Sequence, residues 1–219
     1  MLAIIWKDVL LELRTRETTF SILLLGILVL LVFRFALGPE PAAAPDTAPG
    51  LLWAAIVFSA MLGMGRTFAM EREQGGLEAL LMAPIDRGSI FLAKLAVNVL
   101  FLVVFEAVLL PAFALFFPVE FDGRLGNLAA VMLAGTVGLA ATGTLFALVA
   151  QGTRARELML PLLVLPLDVP LLLACVEATT LVLAGEPLTA LGSWGNLLVG
   201  FDILFVTGGW LTFEFVAAD

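Results

Sequence analysis

Apolar positions in this chain do not alternate with polar ones. They run on for about twenty residues at a time and are broken by short clusters of charge, glycine and proline. Nearly uncharged runs near 18–37, 50–70, 90–117, 125–150, 158–180 and 194–214 each reach the length of a bilayer-crossing helix, about 20 residues. In lipid a helix satisfies its own backbone hydrogen bonds, so the pattern predicts an all-α integral membrane protein with six transmembrane helices. Ahead of the first run, Leu2, Ile5, Trp6, Val9, Leu10 and Leu13 recur at helical spacing, with Lys7, Asp8, Glu12, Arg14 and Arg16 on the other side. Residues 1–17 therefore read as an amphipathic helix lying in the membrane interface. A secretory signal is the rival reading, with Ala42, Ala43 and Ala44 as small residues after the first run, but the leading segment is long and partly acidic.

Charge placement gives an orientation. With the N-terminus inside, Lys7, Arg14, Arg16, Arg66, Arg72, Arg87, Lys94, Arg154 and Arg156 are cytoplasmic and only Arg34 and Arg124 lie outside. Six spans then return the C-terminus to the cytoplasm. Residues 1–17, 71–90, 151–157 and 214–219 are assigned inside, and 38–49, 118–125 and 181–193 outside. Trp53 and Trp194 fall at the outer interface and Trp210 near the inner one, as in an aromatic belt. Residues 177–193, with Gly185, Pro187 and Gly192, also fit a segment that dips back into the outer leaflet.

Composition narrows the chemistry. Of 219 residues, 62% are hydrophobic and 14% charged. A soluble domain is roughly 45–50% apolar and about 25% charged, so the excess must face lipid, and the short connections leave one membrane domain over 1–219. A formal charge of −8 removes any general attraction to nucleic acid or anionic lipid. The chain has no His, which excludes His-ligated zinc or haem and Ser-His hydrolysis. Cys175, the single cysteine, lies in an apolar run and reads as packing. No phosphate-binding Gly-x-x-x-x-Gly-Lys-Ser/Thr loop, His-Glu-x-x-His or Gly-x-Ser-x-Gly occurs. The chain is read as non-catalytic, with any ATP hydrolysed by a partner.

Four segments carry candidate function. The longest hydrophilic stretch, at 71–90, contains Glu71, Arg72, Glu73, Gly75, Gly76, Leu77, Glu78, Leu80, Leu81 and Pro84. The glycine pair ends one helix, Leu77, Leu80 and Leu81 form a stripe at i, i+3 and i+4, and Pro84 stops the turn. Such an element either docks into a partner's groove or forms a hairpin on the membrane surface. Glu106 and Asp168 lie inside spans, where a carboxylate serves a proton or cation relay, contacts a substrate, or bonds between helices; Asp202 reads as a cap for its helix. In the fifth span Pro161, Pro166 and Pro170 remove backbone donors, so a break is expected at Pro166 and Pro170, with Asp168 accepting freed N–H groups. Ala134, Gly138 and Thr142, four residues apart in the fourth span, predict close helix packing.

Several of these stretches together resemble one family, the CcmB or haem exporter protein B permeases of cytochrome c maturation. Gly38-Pro39-Glu40-Pro41 followed by Pro49 and Gly50-Leu51-Leu52-Trp53 looks like that family's first outer loop and the start of its second span. Gly75-Gly76-Leu77-Glu78 with Leu81 and Pro84, then Leu92-Ala93-Lys94, is similar to its cytoplasmic loop, a signature found more widely among ABC exporters. Residues 163–171 resemble its Pro-rich fifth span, except that Asp168 stands where an uncharged residue is expected. The resemblance implies an ABC exporter-like permease that couples a partner's ATP hydrolysis to haem export or to release of a haem-loaded chaperone on the outer face. It also implies an inner-membrane location and four partners: an ATP-binding subunit (CcmA-like), a haem-handling membrane protein (CcmC-like), a small membrane subunit (CcmD-like) and a haem chaperone (CcmE-like). No cofactor is expected on this chain itself, since haem would be handled by the complex and ATP by the partner. The alternatives are a permease for a lipid, drug or polysaccharide, and an ion-coupled carrier using Glu106 and Asp168.

Overall fold

The computed structural model describes residues 5–10, 16–38, 44–73, 86–117, 119, 123–151 and 156–216. After a helical turn at 5–10 come six long helices: α1 Arg16–Ala36, α2 Ala44–Glu73, α3 Arg87–Phe116, α4 Leu125–Gln151, α5 Arg156–Leu183 and α6 Gly192–Val216. A 3-10 turn, Leu188–Leu191, precedes α6. Five of the six are long and apolar enough to cross a membrane, and the described apolar part of α1, Phe20–Ala36, is shorter. No strand occurs among the described residues.

Several helices outrun their predicted spans. α2 begins at Ala44, within the predicted outer loop, and continues to Glu73, well past its apolar window Thr47–Met64. At about 1.5 Å per residue its 30 residues extend roughly 45 Å, against a hydrocarbon layer of about 30 Å. The end carrying Arg66, Glu71, Arg72 and Glu73 therefore projects beyond the apolar layer. α3 starts equally sharply, because Asp86 accepts a hydrogen bond from the Ser89 N–H at 2.8 Å.

Side chains capture the helix ends on the opposite side. Arg34 donates to the Gly38 carbonyl at 2.6 Å beyond α1, and Arg124 donates to the Leu183 carbonyl at the end of α5. The two arginines assigned to the outer side are thus both held on helix C-termini.

α4 occupies the middle of the bundle and touches α2, α3, α5 and α6, whereas α1 packs on α2 and α3. Glycines permit the closest approaches. A Cβ at Gly135 would press into the Trp53 indole and the Cys175 sulfur, and one at Gly143 would meet the end of Met64. Large apolar side chains left exposed, such as Phe20, Phe35, Leu115 and Ile203, lie on the outer surfaces of these spans, where lipid would cover them.

Four sequence expectations are corrected. α5 runs helically from Arg156 to Leu183 through Pro161, Pro166 and Pro170, with no unwound break. Pro166 and Pro170 stand on its exposed side with Leu162 and Leu173, while Val164, Asp168, Leu171 and Cys175 form the buried side that packs inward. The rings of Pro166 and Pro170 are therefore turned away from the packed face, which carries the helix past the lost bonds. Trp53 is no interfacial anchor: it is 1% exposed, and its indole N–H donates to Thr179 Oγ1 at 2.9 Å. Residues 184–190 form an exposed turn and 3-10 segment rather than a re-entrant helix, since α5 already extends to Leu183. In the N-terminal turn Asp8, predicted on the polar side, is buried, because it pairs with Lys94 of α3 at 2.7 Å.

Candidate functional site

The buried polar groups of the spans gather on α4. From α3, Asn98 Nδ2 donates to Thr144 Oγ1 at 2.8 Å, and Glu106 accepts from Thr136 Oγ1 at 2.5 Å. Eight residues separate the two contacts on either helix, so both obey one antiparallel register, about 12 Å apart along the axes. From α5, Asp168 Oδ2 lies 3.2 Å from Thr142 Oγ1. From α6, Asp202 Oδ1 lies so close to Gly138 that a Cβ there would sit 2.7 Å from it. Three carboxyl groups on three helices thus converge on residues 136–142 of the fourth.

The small-residue stripe of α4 makes this possible. Gly138 admits Asp202 and Leu171, and Thr142, one turn further, meets Asp168. Glu106 and Asp168, singled out from the sequence, therefore belong to one neighbourhood without touching each other. Asp202 joins them and is not the helix cap expected of it; it stands in mid-helix, with Oδ1 buried and without a hydrogen-bond partner. Asp168 was expected to receive backbone N–H groups freed by the prolines; it faces Thr142 instead because the helix is unbroken. Gly135, Thr136, Gly143 and Thr144 were missed, since small residues in an apolar run carry no signal until their partners are known. Among the described residues no group of acidic or sulfur side chains is arranged to hold a metal ion.

The remaining candidate residues lie at the bundle's ends. Glu71, Arg72 and Glu73 form the last turn of α2, while Gly75, Gly76, Leu77, Glu78, Leu80, Leu81 and Pro84 lie outside the described residues. In the outer stretch Gly38 has a φ of +74° and ends α1, Pro49 and Trp53 are buried in α2, and Pro39, Glu40 and Pro41 fall outside the described residues. At the α2–α3 end, Gly88 packs on Trp210 and Phe91 stacks on Phe213 with ring centroids 5.7 Å apart, so the start of α3 is seated on the end of α6.

A bundle of long apolar helices whose buried polar groups bond one helix to another is a multi-pass membrane protein in architecture. The family model described as CcmB protein matches residues 1–218. Heme exporter protein B of Paracoccus denitrificans is 34% identical over 166 residues, covering 75% of this chain and 76% of that protein. The proteins of the same name from Bradyrhizobium diazoefficiens and Pseudomonas aeruginosa are 28% and 30% identical, covering 84% and 78% of this chain and 82% and 74% of their own lengths. The chain belongs to the CcmB family.

Proposed function

We propose that this protein is the membrane subunit of an ATP-driven complex for c-type cytochrome biogenesis, the whole chain acting as one permease domain. A partner hydrolyses ATP, and the six helices convert that work into haem export or release of a haem-loaded chaperone on the outer face. Family membership over residues 1–218 carries this reading. The partners are an ATP-binding subunit, a haem-handling membrane protein, a small membrane subunit and the chaperone. The complex handles haem and the partner binds ATP, so this chain is no enzyme. It sits in the bacterial inner membrane with both termini cytoplasmic.

The loop between α2 and α3 is the docking element for the ATPase. Two features support this: α2 projects past the apolar layer as far as Glu73, and α3 restarts at a capped end at Asp86. Leu77, Leu80 and Leu81 fill the partner's groove, while Glu71, Arg72, Glu73 and Glu78 orient the element. Leu80→Asp places a charge on an apolar anchor and is expected to abolish co-purification of the ATPase while membrane insertion is retained. Unchanged ATPase binding by that variant would remove the loop from the interface.

A further inference from the structure

Thr142 has more acceptors than protons. Its Oγ1 lies 3.0 Å from the Leu139 carbonyl, 3.2 Å from the Gly138 carbonyl and 3.2 Å from Asp168 Oδ2. A hydroxyl donates once and accepts through its lone pairs. Threonine within a helix commonly donates to a carbonyl of the preceding turn, and the nearest oxygen here is one of those carbonyls. The contact between α4 and α5 then needs its proton from the other side, from Asp168.

The surroundings of Asp168 demand the same. It is 0% exposed, and its second oxygen, Oδ1, has no hydrogen-bond partner. Lys94 lies near the start of α3 and Arg34 near the end of α1, and the spans that surround Asp168 within α2, α4, α5 and α6, at 47–64, 125–147, 159–183 and 192–213, contain no Lys or Arg. The ionisable groups around it are Glu106 from α3, Asp202 from α6 and Cys175 on α5 itself, all acidic; the described spans of α2 and α4, which also pack on α5, contribute none. An ionised carboxylate here would be buried with one hydroxyl for company and no counter-charge.

We propose that Asp168 and Thr142 form an intramembrane proton-binding site. Asp168 holds a proton on Oδ2 and donates it to Thr142 Oγ1, while Thr142 donates its own proton within α4. The bound proton latches α5 to α4, and its departure to water leaves a buried charge that drives the two helices apart. The site is independent of the cargo and of the ATPase-docking reading.

Infrared spectroscopy of the full-length protein in lipid nanodiscs, with aspartate carboxyl carbons labelled by carbon-13, tests the proposal. At neutral pH the wild type is expected to show a protonated-carboxyl stretch that shifts with the label, which sets it apart from Glu106. Asp168→Asn should lose that band while keeping the fold, because its amide still donates to Thr142; Thr142→Val should keep the band at an altered frequency. Alkaline buffer should remove the band and loosen wild-type packing, with Asp168→Asn unaffected. Absence of a label-sensitive acid band from the wild type would overturn the proposal, and this readout requires no variant. A band that survives Asp168→Asn would also overturn it and assign the proton to Asp202.

Discussion

The salt bridge beneath the N-terminal turn can be tested quantitatively. Lys94 Nζ lies 2.7 Å from Asp8 Oδ2, with both side chains about 95% buried, and Lys7 approaches the other carboxylate oxygen at 3.1 Å with 41% of its side chain exposed. Removing one member of a buried pair costs about 3–5 kcal/mol because the other charge stays buried. Lys94 has further polar contact and Lys7 already shares Asp8, which argues for the low end, about 3 kcal/mol or roughly a hundredfold in the folding equilibrium. Asp8→Leu and Lys94→Met should therefore each destabilise the full chain markedly. Together they leave no buried charge and should fall within about 1 kcal/mol of the wild type. Reversible unfolding in mixed micelles, followed by helix content, supplies all four corners of the cycle. With about 3 kcal/mol for each single variant and at most about 1 kcal/mol for the double, the expected coupling is about 5 kcal/mol. A double variant as unstable as the sum of the singles would refute the reasoning and reduce the pair to a surface contact.

Two further outcomes follow from the same packing. Gly135→Ala should prevent correct folding, because its methyl would meet the rigid Trp53 ring and the Cys175 sulfur, whereas Gly143→Ala meets only the flexible end of Met64 and should cost about 1–2 kcal/mol; size-exclusion profiles of the two variants distinguish them. Single cysteines at Asp46 and Gln74 in a Cys175→Ala background should react with an impermeant thiol reagent from opposite sides of the membrane, and labelling from one side would overturn the assigned topology.

The spans were legible because lipid imposes a length and an apolar composition that no loop shares, and all six runs became helices. Their ends were not. Gly, Pro and charge near Ala44 and Glu73 read as loop, yet the backbone there continues as helix where α2 leaves the apolar layer. The prolines of α5 read as a break because a sequence displays the missing donors and not the packed face opposite them. Asp8 was placed in water because an amphipathic pattern assigns charges outward; its partner, Lys94, lies 86 residues away and adds no periodicity. The carboxylates at 106, 168 and 202 were visible singly. Their meeting on α4 depends on helix register, which is set by glycines whose only message is the absence of a side chain.

That register bears on how a signal could cross the protein. α3 is a single helix from the cap at Asp86 to Phe116, so a displacement of the preceding loop moves a rod and not a hinge. Asn98 and Glu106 fix this rod to Thr144 and Thr136 at two levels, and α3 cannot slide along α4 by one turn without breaking both bonds together. α3 and α4 therefore move as a unit. The next contacts outward, Thr142 on Asp168 and Gly138 on Asp202, rest on one 3.2 Å hydrogen bond and on carboxylate oxygens without partners. These contacts lie within the most extensive packing of α4, which is against α5 and α6, so a shift of α3 and α4 bears directly on the buried carboxyl groups at 168 and 202. Coupling between the start of α3 and these carboxyl groups then needs only a stiff pair of helices that bears on them.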